Sequence, residues 1–206
     1  MPSRRRLTPE QRRDELMDVG ARIFGERAYD EIAMEDIAAQ AGASRALVYH
    51  YFPTKGEFFA AIWKRAHDRL LADVRMIADE PVRTCVYRAL VAHLDFYRDH
   101  IALVLIANRS ALATDPAVRG PVTADLNALC ERVLDACGAA GHPREVAGAA
   151  LTGWIAFVRE VAIEWLTHQR ISRDEVIRMC MAALDATAGV QLDLTAPPRT
   201  SAGAGR

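Results

Sequence analysis

Residues 34–55 read MEDIAAQAGASRALVYHYFPTK, and the fold turns on this stretch. Met34 to Ala41 carries Ile37, Ala38 and Ala41 at helical spacing, and Gly42-Ala43 ends that run. A second short helix is expected from Ser44 or Arg45 to Tyr51, stopped by Pro53. A tight turn between two such helices needs a residue that enters the left-handed backbone region freely, and Gly42 supplies it. The second helix buries Val48 on one side. Ser44, Arg45, Leu47, Tyr49 and His50 are left to face outward, a set suited to a major groove if DNA is the partner.

Helical signals continue on both sides of this unit. Thr8-Pro9-Glu10-Gln11 is a capping box with proline at the first helical position, so a helix is expected over about Pro9 to Arg27. Thr54-Lys55-Gly56-Glu57 is a second box, opening a long helix that runs to the break at Asp79-Glu80-Pro81. Further helices are expected at about 82–100, 101–113, 122–139, 144–169 and 173–188, the last behind a third box, Ser172-Arg173-Asp174-Glu175. Gly120-Pro121 and Gly141-His142-Pro143 are read as punctuation. No stretch alternates apolar and polar with β-branched residues, so strands are not expected. The class is all-α with about nine helices: an N-terminal three-helix helix-turn-helix domain, then a larger helical domain. The expected division is 1–54, a connecting helix at 55–80, a second domain at 81–190, and a disordered tail at 191–206.

The chain has 206 residues, 51% hydrophobic and 26% charged, which is a soluble globular composition. The longest uncharged run, Ala147 to Val158, is too short for a bilayer span, so no membrane partner is expected and the location is cytoplasmic. Four cysteines without a paired spacing suggest reduced thiols. Charge is uneven. Arg4, Arg5, Arg6, Arg12 and Arg13 against Glu10 give residues 1–13 a net of +4, while the whole chain carries −1. A basic arm on an acidic body points to a polyanion contact at one end. His93 and His100 stand two helical turns apart, too far for one metal ion, and no nucleophile elbow or phosphate loop occurs. Accordingly no enzyme activity, catalytic residue, metal or cofactor is expected.

Residues 13–59 resemble the DNA-binding domain of the TetR family of bacterial transcriptional repressors. The resemblance lies in Ile23-Phe24, Tyr29, Asp36-Ile37-Ala38, Ala41-Gly42-Ala43-Ser44 and above all Tyr49-His50-Tyr51-Phe52-Pro53-Thr54-Lys55. It implies a homodimer that sets two recognition helices into successive major grooves of a palindromic double-stranded operator. It implies base or backbone contact for Arg45 and His50, and phosphate contact for Tyr49 and Lys55. Lys55 follows Thr54 at a helix start, where free N–H groups and the dipole favour a phosphate oxygen. The chain departs from the family at Ala28, Ile32, Ala33 and Leu47, where glycine or hydroxyl residues are usual, so the arm's five arginines, Arg4, Arg5, Arg6, Arg12 and Arg13, carry more of the expected contact.

The resemblance further implies that residues 82–188 hold a ligand pocket and a dimer interface made by the last two long helices. Pocket candidates are Tyr87, Leu90, Leu94, Tyr97, Leu105, Asn108, Leu126, Trp154 and Phe157, which favour an apolar or aromatic small-molecule effector that releases the operator. Interface candidates are small residues from Ala147 to Gly153, with Ile155, Val158, Val161, Ala162, Val176, Ile177, Met181 and Leu184. The alternative is a helical small-molecule or protein-binding module with weakened DNA binding.

Overall fold

A computed structural model describes residues 7–72 and 75–199, and every regular element among them is helical. Two units form. One holds 7–68 with 100–122, the other 69–99 with 123–199.

In the first unit α1 (Pro9–Glu26) starts at the expected box: Gln11 N–H donates to Thr8 Oγ1 at 3.2 Å, and Thr8 N–H to Gln11 Oε1 at 3.0 Å. It buries Leu16, Met17, Ile23 and Phe24. Gly20 lies among them because a Cβ there would stand 2.3 Å from Phe58 Cζ. α2 (Met34–Gln40), α3 (Arg45–Tyr51) and the start of α4 (Lys55–Ala72) close on this face. Phe24, Phe52, Phe58 and Phe59 form its centre, with Phe52 and Phe58 rings 4.6 Å apart and Phe24 edge-on to Phe59 at 5.3 Å. Aromatic pairs in these geometries add about 0.5–1.5 kcal/mol each beyond the area they bury. α6 (Ile101–Arg109) packs on α1, so a helix expected in the larger domain clusters with the first unit.

The second unit contains α5 (Val82–Asp99), the later turns of α7 (Pro116–Ala136), α8 (Gly141–His168) and α9 (Arg173–Thr187). α9 opens on the third box: Glu175 N–H donates to Ser172 Oγ at 3.3 Å and Ser172 N–H to Glu175 Oε2 at 2.7 Å. α8 and α9 pack along each other, pinned by Trp154 Nε1–H donating to the Cys180 carbonyl at 2.7 Å. Val176, Ile177, Met181 and Leu184 are buried in this packing, so they belong to the protomer's own core. α8 includes a stretch long and apolar enough to cross a membrane by length and composition, yet Ala147, Leu151, Val158, Ala162 and Ile163 turn one side into the core. Its other side leaves Phe157 37% exposed, and α9 leaves Met179 40% exposed.

Three expectations change. The connecting helix does not reach Asp79: it is described to Ala72, and Arg75 lies outside any helix, where its carbonyl accepts from the Cys85 thiol and the Arg88 guanidinium. α7 starts at Pro116, not Val122, because Asp115 Oδ1 accepts from Ala117 N–H at 2.8 Å and Pro116 takes the first helical position. Pro121 is then carried inside the helix, where it removes one backbone donor and its ring crowds the carbonyl one turn earlier. The expected tail is packed over 192–199, where Leu192 and Leu194 are buried and Arg199 N–H donates to the Ala136 carbonyl at 2.8 Å; residues 200–206 lie outside the described residues.

Candidate DNA interface and ligand cavity

The turn between α2 and α3 is built as the sequence demands. Gly42 has φ 57°, Gly42 N–H donates to the Ala39 carbonyl at 3.2 Å and Ala43 N–H to Ala38 at 2.9 Å. These bonds satisfy carbonyls that the end of α2 would otherwise leave open. Ser44 caps α3 by accepting from Leu47 N–H at 3.2 Å. Val48 and Phe52 anchor the inner side of α3, which turns the outer residues to solvent.

On that outer side Arg45 is 67% exposed, bonded through Nε to Glu35 of α2 at 2.9 Å and poised 5.3 Å over the Tyr49 ring. His50 is exposed and lies edge-on to Tyr51 at 5.4 Å, while Leu47 and Tyr49 are half-buried. Thr54 is exposed and caps α4, with Glu57 N–H donating to its Oγ1 at 3.1 Å. Ala33 offers α2 no such cap, and Ile32 is buried. The Arg27 guanidinium beside Asp36, at 2.8 Å, holds that carboxyl below its usual range. Arg4, Arg5 and Arg6 lie outside the described residues.

Lys55 has an internal partner set that the sequence does not announce. Its Nζ donates to the carbonyls of Tyr29 at 2.7 Å and Ile32 at 2.9 Å, and stands 4.1 Å over the Tyr29 ring. The ammonium therefore clamps the 3-10 turn Tyr29–Glu31 and the entry to α2 against the start of α4. Two of its three donors are spent there.

The second unit holds a partly open cavity, about 720 Å³ when its solvent-filled mouth is counted. Three helices present the same i, i+3, i+4, i+7 stripe to it: Val86, Ala89, Leu90 and His93 of α5; Leu126, Leu129, Cys130 and Val133 of α7; Leu151, Trp154, Ile155 and Val158 of α8. Cys85 and Leu70 complete the wall. The lining is almost wholly apolar. Burial pushes the Cys130 thiol up to about 11 and raises Cys85, whose thiol donates to the Arg75 carbonyl at 3.2 Å. Both are uncharged at neutral pH, and the Trp154 N–H is already engaged by Cys180. Such a wall solvates an apolar body and offers a charge little compensation.

Leu90, Leu126 and Trp154 are the sequence-derived pocket residues that line this cavity. The others lie elsewhere. Leu94 and Tyr97 are buried on the neighbouring stripe of α5, where burial raises the Tyr97 phenol far above its ordinary value. Tyr87 and Phe157 are exposed on outer faces. Leu105 and Asn108 sit on α6 in the first unit, where Asn108 Nδ2 donates to the Val104 carbonyl at 2.8 Å.

The sequence profile described as "Bacterial regulatory proteins, tetR family" matches residues 16–62, the helices that carry this interface. An HTH-type transcriptional activator, FasR of Mycolicibacterium smegmatis, is 26% identical over 176 residues, covering 84% of this chain and 80% of that protein. A tetR-family transcriptional regulator from Streptomyces coelicolor superposes with a TM-score of 0.76 at 27% identity, over 90% of this chain and 83% of that one. The regulator FadR from Bacillus subtilis, solved with stearoyl-CoA, shares the fold at a TM-score of 0.60 and 14% identity, over 84% of this chain and 95% of that one.

Proposed function

Because the chain belongs to the tetR family of bacterial regulatory proteins, we propose that it is a homodimeric repressor whose α3 helices read a palindromic operator and which a small apolar effector releases. The observation that carries this is the α2–Gly42–α3 unit, with Arg45, Tyr49 and His50 on a face anchored from behind by Val48. Tyr49 and Thr54 reach toward phosphates, the third Lys55 donor adds a charge beside them, and the arginines of residues 4–6 extend the contact. In cells the protein is cytoplasmic.

Dimerisation is supported by the outer sides of α8 and α9. Val146, Phe157 and Met179 are exposed apolar residues there, and Ala149 and Gly153 permit close helix approach. A second copy covers this surface. The effector occupies the cavity among α5, α7 and α8, where the apolar wall selects a molecule with a hydrophobic body. α4 and α7 each have residues in both units, and Leu70 of α4 lines the cavity, which gives the effector a route to α3. The effector acts only by its different affinity for the two states.

A mobility-shift assay on DNA upstream of the protein's own gene tests this. Two chains bind per site, and affinity falls steeply with salt. Absence of any shifted fragment at low salt refutes the DNA-binding assignment and leaves the effector-binding module. The activator name of the FasR relative favours a second sign of regulation, in which the bound dimer raises transcription. A promoter reporter with and without the protein separates the two.

A further inference from the structure

Residues 192–199 attach to the ends of two of the helices that line the cavity. α5 opens at Val82 behind Pro81, and its first N–H groups have no carbonyl of their own helix to bond. The segment supplies them: Val82 N–H donates to the Ala196 carbonyl at 3.0 Å and Arg83 N–H to the Leu194 carbonyl at 2.8 Å. At its other end Arg199 N–H donates to the Ala136 carbonyl at 2.8 Å, the last residue of α7. Arg199 then lies across Gly138, whose φ is 65° and where a Cβ would stand 2.4 Å from Arg199 Cδ. Between these ends Leu192 and Leu194 are buried. The segment keeps its shape through Asp193 Oδ1, which accepts from Thr195 N–H, the Thr195 hydroxyl and Ala196 N–H at 3.0, 2.6 and 3.2 Å.

The helix ends joined in this way belong to the walls of the cavity. Val82 precedes the lining residues Cys85 and Val86 by one turn, and Ala136 follows Val133 by one turn. The segment itself lines no part of the site. We propose that residues 192–199 are a strap that fixes the spacing of α5 and α7 and so sets the affinity of the cavity for its ligand. This rests on the assignment of the cavity as the effector site. Three backbone hydrogen bonds to the ends of α5 and α7 hold the strap, with one from Leu192 N–H to the Ala188 carbonyl, a Cys137 thiol bond to the Asp193 carbonyl and two buried leucines. These contacts are few enough for it to open locally while the helices stay folded. Ligand and strap act on the same spacing, and each changes the hold of the other by the same factor.

The experiment compares the full chain with one ending at Gln191 and with Leu194→Asp. Nile red, an uncharged apolar dye, is titrated by fluorescence, and amide exchange is followed by mass spectrometry. Both variants are expected to bind the dye about tenfold more weakly, as a lost positioning contact of this kind implies. Exchange should accelerate by at least about tenfold at residues 82–90 and 129–136 while residues 34–51 are unchanged. Faster exchange with dye affinity within about twofold of the full chain makes the strap structural only and overturns the proposal. Unchanged exchange overturns it as well. If the full chain itself takes up no dye, the effector-site assignment fails, and the exchange result alone decides whether the strap sets the spacing. Should the shortened chain not fold, Leu194→Ser, which keeps all of the strap's backbone donors and acceptors, decides in its place.

Discussion

Replacing Lys55 by methionine separates a clamp from a phosphate contact. In the fold the Lys55 ammonium donates at 2.7 and 2.9 Å to the Tyr29 and Ile32 carbonyls and lies 4.1 Å over the Tyr29 ring. Hydrogen bonds to a charged donor contribute about 1.5–3 kcal/mol each, and a half-buried site sits at the lower end. A cation over a ring adds about 0.5–1 kcal/mol, and the methionine recovers part of this through its apolar stem. Lys55→Met should therefore cost about 3–4 kcal/mol. For a unit of this size that lowers Tm by about 12–30 °C. Thermal unfolding followed by circular dichroism measures it, alongside operator affinity at several salt concentrations. Lys55→Arg should recover part of the stability, since its donors are planar and forked where the carbonyls suit a point charge. If Lys55→Met leaves Tm within about 2 °C of the parent and changes only DNA affinity, with a salt slope lower by about one phosphate, the clamp is refuted.

Gly20→Ala sets a Cβ 2.3 Å from Phe58 Cζ and 2.8 Å from Ile62 Cδ1, so urea denaturation should show a loss of about 1–3 kcal/mol from overpacking. Arg45→Ala breaks an exposed pair with Glu35 and an exposed contact over the Tyr49 ring, so stability should change by about 1 kcal/mol or less. Its operator affinity should nonetheless fall by about tenfold or more if Arg45 makes a base contact. Asp36 and Asp185 have carboxyls held below their ordinary value of 3.8, chiefly by hydrogen bonds from Arg27 and Arg83. A depressed carboxyl stabilises the fold fully above its ordinary value and loses that contribution as the pH falls through the folded one. Denaturation midpoints should thus be flat above pH 5 and decline below about pH 4, and Asp185→Asn should make that decline shallower.

How legible the sequence was depends on the range of the interactions involved. The three capping boxes at Thr8, Thr54 and Ser172 form as read, because a cap joins residues three apart. Gly42 takes the positive φ that the turn requires for the same local reason. At α7 the break expected at Gly120-Pro121 does not occur, because Asp115-Pro116 upstream supplies both a cap and a first-turn proline and starts the helix there. Leu192 and Leu194 looked too sparse to pack, yet the exposed N–H groups of α5 gave that segment a partner far away in sequence. Lys55 was visible as a lone lysine at a helix start. Its carbonyl partners, 23 and 26 residues earlier, were not.

By itself the sequence determined the nine α-helices among the described residues, the helix-turn-helix and the outward side of α3, since periodicity, caps and turn residues act within one or two turns of helix. It also contained every stripe that now lines the cavity. What only the tertiary structure decided is which stripe faces inward. α5 offers Leu90 to two adjacent stripes, one with Val86 and His93, the other with Leu94 and Tyr97, and both are apolar enough to bury. The choice between wall and core is made by the helices around α5: α7 and α8 line the cavity with it, while α8 and α9 pack against it. Burial energy favours both placements alike, so composition carries no mark of the difference.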